Sequence, residues 1–495
     1  MASPTIDPAI SFSPRTLGTS RSAVAADASA CRAPEFCIGK AADNPSDSSL
    51  IADIFLAIGY SENREITSMT WSNRRNSELL ERARRVIPGG MYGHESTALL
   101  PSHFPQFFSR ASGARLWDVD GNEYIDYLSA YGPNLFGYGN PEVEAAARRQ
   151  AELGDTMTGP SPLMVELAEA LVSIVSHADW AMFCKNGSDA TSMAMTTARA
   201  YSKRRKILVA TGAYHGSQPW CTPNRTGIVD DERRQIIAYE YNNVESLEAA
   251  VRTADGDVAG VFATPFKHEV FADQLIPSEA FAQAARKICD AVDAPLIVDD
   301  VRAGFRLARD CSWSILGVEP DISCWGKAIA NGHPISAMMG SQRFYSAARS
   351  IFATGSFWFS AVPMAAGLET LRLIHETKYL EHTVELGDKL RDGLNEQAVA
   401  FGFALRQTGP SQMPQILFHD DPDMRLGYAW VTNTLKHGVY FHPYHNMFLN
   451  AAMTAADIEQ TLKASEQAFA ELKAERTRIP ANENPLVLAR LKVAR

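Results

Sequence analysis

Between residues 141 and 330 helical stretches alternate with short apolar runs, and this alternation constrains the fold more than any other feature. Helical spacing falls at 141–153, 163–175, 189–202, 245–252 and 278–292. Apolar runs fall at 180–184, 206–210, 260–264, 296–298 and 322–325. Stretches of about 12–18 residues alternating with short runs are the lengths of βα units. They predict an α/β fold whose large domain is a mostly parallel sheet with helices on both faces.

The flanks differ. Residues 76–86 space Leu79, Leu80, Ala83 and Val86 at helical intervals, with acids early and arginines late, which suits the helix dipole. Pro88-Gly89-Gly90 stops that helix. In 113–127, alternating apolar residues flank Asp120-Gly121, a hairpin signal. Residues 361–398 read as a long helix with room for a break, and 399–495 mix strands and helices. The expected division is an N-terminal extension over 1–70, disordered or loosely docked; an N-terminal segment over 71–140; the large domain over 141–376; and a C-terminal small domain over 377–495. The smaller α+β domain draws on the N-terminal segment and the C-terminus. Within the extension, 50–60 suits one short helix.

The 495 residues carry 57 acids against 47 lysines and arginines, a formal charge of −10. That argues against a nucleic-acid partner. The short basic runs at 82–85 and 203–206 read as solvated helix faces or ends. No run of 18 apolar residues offers a membrane span. Residues 1–20 lack the apolar core of a secretory signal, and the acids scattered through 1–50 do not suit a transit peptide. Seven cysteines, an odd number without a CxxC, read as reduced thiols, so the expected setting is cytoplasmic.

In open α/β sheets ligands sit at the carboxyl ends of strands, and three such ends are chemically loaded. At 184–190 (CKNGSDA), Asn186, Gly187 and Ser188 open a helix. Their N–H groups suit a phosphate cradle, although an ordinary helix cap uses the same residues. At 295–305 an apolar strand ends in Asp299-Asp300. Paired carboxylates there suit a metal, an Asp that keeps a pyridinium protonated, or a solvated turn; the lack of a nearby histidine weakens the metal. At 320–332, Lys327 lies between Gly326 and Gly332, a better Schiff-base candidate than an ordinary surface lysine. Tyr214-His215 adds an aromatic plane and a titratable ring, or a structural pair. A phosphate, a planar ring, a basic ring nitrogen and an aldehyde together describe pyridoxal 5'-phosphate, with no metal.

With those segments in view, the chain resembles the class III aminotransferases of fold type I, in the branch of glutamate-1-semialdehyde aminomutase. The likeness rests on PGG (88–90), GARLWDVDGNEYIDY (113–127), NGSDA (186–190), AYHG (213–216), IVDDVRAGF (297–305), GKAIANGHP (326–334) and TGS (354–356), and it covers roughly 76–470. Segments 87–97, 177–190, 354–366 and 442–452 are similar to aminotransferases acting on hydrolysed fumonisin, a long-chain amino polyol. The resemblance implies that Lys327 bonds to the cofactor aldehyde and later moves the proton. It implies that Asp299 holds the ring nitrogen beside His215, that Val301 and Tyr214 flank the ring, and that Gly187 and Ser188 bind phosphate. Gly355 and Ser356 match the segment that reaches the neighbouring subunit's phosphate, which implies a homodimer with shared sites. By motif position Tyr92, His94, Trp358, Tyr444 and His445 are substrate candidates, with core packing as the competing reading for each.

There are departures. Asp189 and Asp300 stand where the family has Glu. Ala263–His268 (ATPFKH) and His442–Asn446 (HPYHN) replace the family's usual segments. The latter puts intramolecular amine transfer in doubt. The implied activity is transfer of an amino group from a primary amine to a 2-oxo acid such as pyruvate. The alternatives are an aminomutase and an aminotransferase for another small amine or β-amino acid.

Overall fold

The computed structural model describes residues 71–494 except 269. The extension over 1–70 and the helix expected at 50–60 lie outside the described residues.

The helix α1 (Arg74–Val86) starts two residues before the expected position. Its cap is remote in sequence: the Asp120 carboxylate accepts the N–H groups of Arg75 and Asn76, both at 2.9 Å. Three strands follow, β1 (Phe108–Ser112), β2 (Arg115–Asp118) and β3 (Glu123–Asp126). β2 and β3 are the expected hairpin, with Trp117 opposite Glu123. Asp118 Oδ1 accepts the N–H groups of Asp120 and Asn122 and so closes the turn. β1 is a further strand; its mostly exposed FSRAS sequence gives no alternation to detect.

The large sheet contains β4 (Trp180–Cys184), β5 (Lys206–Ala210), β6 (Ile236–Tyr239), β7 (Val258–Ala263), β8 (Leu296–Asp299), β9 (Ile322–Trp325) and β10 (Ser336–Gly340), in the order β4-β10-β9-β8-β7-β5-β6. The five expected apolar runs are all strands here. β9, β8, β7, β5 and β6 run parallel, and β10 pairs antiparallel with both β4 and β9. β6 and β10 were not anticipated. β10 reads Ser-Ala-Met-Met-Gly without a β-branched residue, yet all five residues are buried; burial between two strands overrides weak propensity.

Successive strand residues face opposite layers. Leu296 and Val298 join one core with Leu208, Val261 and Trp325, while Ile297 joins the other with Ile207, Phe262 and Ile322. The first layer takes α2 (Pro141–Leu153), α3 (Leu163–Ile174), α5 (Val244–Ala254) and α6 (Glu279–Ala291). The second takes α4 (Gly187–Ser202), through Ala190, Met193, Ala194 and Ala198, and α7 (Tyr345–Ser350). Cys184 and Cys324 are buried fillers of the second layer. The long stretch from 361 is two helices, α8 (Ala361–Glu376) and α9 (Tyr379–Phe401), parted at Thr377-Lys378.

The smaller α+β part uses both ends of the described chain. β11 (Leu405–Thr408) pairs with β12 (Gln415–Phe418). After α10 (Arg425–Lys436), β13 (Val439–Tyr440) runs parallel to β3 and completes the sheet β1-β2-β3-β13. Tyr124 and Ile125 from the hairpin pack with Leu390 and Leu394 of α9, Trp430 of α10 and Phe469 of α11 (Ala455–Glu475). The last helix, α12 (Pro485–Ala494), places Val487 and Leu491 against Tyr444 and Phe271. Among the described residues no helix is long and apolar enough to cross a membrane.

Candidate active site

A cavity of about 300 Å³ opens at the carboxyl ends of the parallel strands. Its floor begins at α4. Asn186 accepts the Asp189 N–H through its side chain, and the Asp189 carboxylate accepts the Asn186 N–H, a reciprocal cap. The N–H groups of Gly187 and Ser188 donate to nothing among the described residues. They point a positive helix end at the cavity. Ser188 Oγ accepts the Ser217 N–H at 3.0 Å. Close packing requires the glycines here: a Cβ on Gly216, at φ +124°, would lie 2.5 Å from Ser188 Oγ, and one on Gly187 would lie 2.6 Å from Val301 Cγ1.

The two aspartates at the end of β8 part company. Asp299 faces the cavity; its Oδ2 lies 2.8 Å from His215 Nδ1 and its Oδ1 accepts the Val301 N–H at 3.2 Å. Asp300 turns away and is wholly buried, accepting the Ser312 N–H at 2.8 Å with Oδ2 while Oδ1 has no partner. Burial, foremost, pushes its carboxyl up to about 6.

Lys327 opens a short 3₁₀ turn at the end of β9, at φ +48°. Its Nζ donates to the Tyr131 carbonyl at 2.9 Å. Tyr131 belongs to a left-handed turn in which Ser129, Ala130, Tyr131 and Gly132 all have positive φ. Asp126 steadies the turn by accepting the Leu128 and Ser129 N–H groups, and the buried Arg306 donates to the Gly132 carbonyl. Such strain persists only where its surroundings over-determine it.

The rim and far wall are basic but mostly uncharged. His94 lies 3.4 Å from Tyr214 Oη. Desolvation, then Lys327 and Arg302, lower His94 to about 4. His268 is held well below its usual range, chiefly by burial. Arg302 lines the cavity and donates to His445 Nε2 at 2.8 Å and Asn446 Oδ1 at 2.6 Å.

Gly187, Ser188, Tyr214, His215, Asp299, Val301, Lys327 and His94 thus share one cavity. Gly355, Ser356, Tyr92, Trp358, Tyr444 and His445 are not in its lining. Tyr444 stacks on Phe271 at 4.3 Å. His445 stands behind Arg302. Trp358 packs towards the α4 layer, and Tyr92 is 73% exposed. Arg302 and His268 were missed in the sequence. The signal for Arg302 was a cation directly after an apolar strand that ends in two acids.

Residues 100–469 match the family model of class III aminotransferases. The chain is a class III aminotransferase. It is 63% identical over 395 residues to the aminopentol aminotransferase of Sphingopyxis macrogoltabida, covering 80% of this chain and 94% of that one. It is 31% identical over 405 residues to the 3-aminobutyryl-CoA aminotransferase of Cloacimonas acidaminovorans, covering 81% and 97%. The solved structure of the PLP internal aldimine form of the FumI protein from Sphingopyxis sp. MTA144 aligns with a TM-score of 0.82 at 60% identity, covering 84% of this chain and 100% of that one. The fold is that of the fold type I transferases, and the cofactor of this aminotransferase is pyridoxal 5'-phosphate. The residues present fit that group. Two unpaired N–H groups at a helix start suit its phosphate, a carboxylate held by His215 suits its ring nitrogen, and a half-buried lysine on the same cavity suits its aldehyde.

Proposed function

We propose that this aminotransferase takes the amino group of a long-chain amino polyol of the aminopentol (hydrolysed fumonisin) type and passes it to a 2-oxo acid such as pyruvate. The observation that carries the donor assignment is the 63% identity, along 80% of the chain, to an aminopentol aminotransferase. The bound cofactor supplies an aldehyde and an electron-withdrawing ring. The chain supplies the rest. Gly187 and Ser188 hold the phosphate, and Tyr214 and Val301 hold the ring between them. Asp299, oriented by His215, keeps a proton on the ring nitrogen. Lys327 Nζ takes the proton from the amine-bearing carbon of the donor and delivers it on the cofactor side, as a positioned general base and acid. His94, lowered to about 4 by burial foremost, stands at the rim where a donor enters.

The assembly we propose is a homodimer in which Gly355 and Ser356 serve the partner's phosphate. Two segments support this. Leu153 and Met157 are exposed on one, Phe352 (94%) and Phe357 (64%) on the other. The segments are tied together: Ala361 N–H donates to the Asp155 carbonyl and Thr156 Oγ1 lies 3.2 Å from Ser360 Oγ. A large apolar surface of this kind marks an interaction site. The five described cysteines are free and buried, which supports a cytoplasmic setting.

The test is alanine formation from pyruvate with aminopentol as donor. Alanine in proportion to donor consumed is the expected result. No alanine with aminopentol or with simpler long-chain amino alcohols removes this donor class, and turnover of glutamate-1-semialdehyde without a second substrate would favour the aminomutase instead.

A further inference from the structure

We propose that Arg302 is the residue that recognises the carboxylate of the 2-oxo acid acceptor. The inference deepens the reading above: a donor without an α-carboxylate and an acceptor that has one must use the same cavity in turn.

Arg302 sits three residues beyond the Asp299 that faces the cavity, and it lines the cavity together with Lys327. Its side chain is buried at 9% exposure, and among the described residues no carboxylate pairs with it. Its partners are neutral. His445 Nδ1 donates to the Asn446 carbonyl at 2.6 Å, which leaves Nε2 as an acceptor for Arg302 Nη1; Asn446 Oδ1 accepts from the same nitrogen at 2.6 Å. These contacts aim the guanidinium without neutralising it. They occupy one nitrogen of three. Nε and Nη2 make no hydrogen bond among the described residues.

A buried guanidinium without a counter-charge is costly unless an anion completes it. Asp299, the one carboxylate on the cavity wall among the described residues, is taken by His215 and the Val301 N–H. The other titratable groups lining the cavity are its histidines, Tyr214, Lys185 and Lys327, with no second carboxylate among the described residues. A cationic donor amine gains nothing from such a charge. A 2-oxo acid does: its carboxylate matches the planar fork with two parallel N–H···O bonds, while its keto carbon can face Lys327 in the same cavity. Arg302 therefore acts in the acceptor half of the reaction, and His445 and Asn446 are its positioning residues.

The experiment compares wild type with Arg302→Gln and Arg302→Lys, using the full-length holoenzyme. Calorimetric binding of oxamate, an unreactive isostere of pyruvate, reads the site without turnover. Arg302→Gln should weaken it by about tenfold or more, a loss of about 1.4 kcal/mol per decade. In the acceptor half-reaction, enzyme loaded with pyridoxamine phosphate meets pyruvate. There Arg302→Gln should raise the half-saturating pyruvate concentration far more than it changes the saturating rate or the donor half-reaction. Arg302→Lys should recover part of the loss, and if Arg302→Gln fails to fold, Arg302→Lys alone decides, since it keeps the charge and loses the fork. Unchanged oxamate and pyruvate handling in a folded variant would overturn the proposal. So would equal slowing of both half-reactions with a shifted cofactor absorption band, which would place Arg302 on the cofactor's phenolic oxygen. If wild type ignores aminopentol, the donor assignment fails while the oxamate and pyruvate arms still judge Arg302.

Discussion

In the proposed reaction two side chains at adjacent strand ends, Lys327 and Asp299, carry the chemistry, and their neighbours set what each can do. Lys327 is held at a strained backbone angle with its Nζ on the Tyr131 carbonyl, so the amine is placed before any substrate arrives. Lys327→Ala should cut alanine formation by at least about 10²–10⁴-fold, the range of positioned proton transfer. Turnover within tenfold of wild type would contradict the assignment. Asp300, one residue from Asp299, makes a different prediction. Its carboxyl is raised to about 6, above the ordinary 3.8, so the folded state holds a proton that the unfolded state has already lost. This residue's contribution to stability therefore falls as pH rises from about 4 to 6. Asp300→Asn removes that dependence, so its stability relative to wild type should climb by up to about 3 kcal/mol across the window. Denaturant unfolding at pH 4 and pH 7 measures it, and a pH-independent difference would show that Asp300 does not titrate this way.

At the scale of elements, the start of α4 and the loop 214–217 form one cradle. Gly216→Ala would force a Cβ into Ser188 at an angle few residues adopt. It should weaken cofactor binding by about tenfold or more, since about 1.4 kcal/mol of strain equals a decade. A cofactor titration followed by fluorescence reads this directly, and unaltered affinity would mean the cradle is looser than it looks. The strands bearing these loops were legible because buried parallel strands are written as apolar runs. β10 and β6 were not, since a five-residue Ser-Ala-Met-Met-Gly strand is specified by its neighbours rather than by its own sequence. The start of α1 was misjudged for a similar reason: Asp120, 44 residues from Asn76, caps it. Gly187, Ser188, Asp299 and Lys327, which line one cavity, stand out in the sequence by their neighbours. Arg302 does not, because beside two aspartates it reads as half of an ion pair, and only in three dimensions are its bonded partners, among the described residues, the neutral His445 and Asn446.

At the scale of the whole molecule, the two segments that expose Leu153, Met157, Phe352 and Phe357 are hydrogen-bonded to each other and also carry Gly355 and Ser356. If they meet a second copy, Phe352→Glu with Phe357→Glu should shift the species seen by light scattering from dimer to monomer and remove most activity together. A fully active monomer would show that each subunit suffices alone. The proposed chemistry requires a covalent attachment of the cofactor aldehyde to one amine in this cavity. Reducing the loaded enzyme with borohydride and mapping its peptides tests that directly: a single cofactor adduct on the peptide containing Lys327 is expected, and an adduct on any other lysine, or none at all, would refute the attachment.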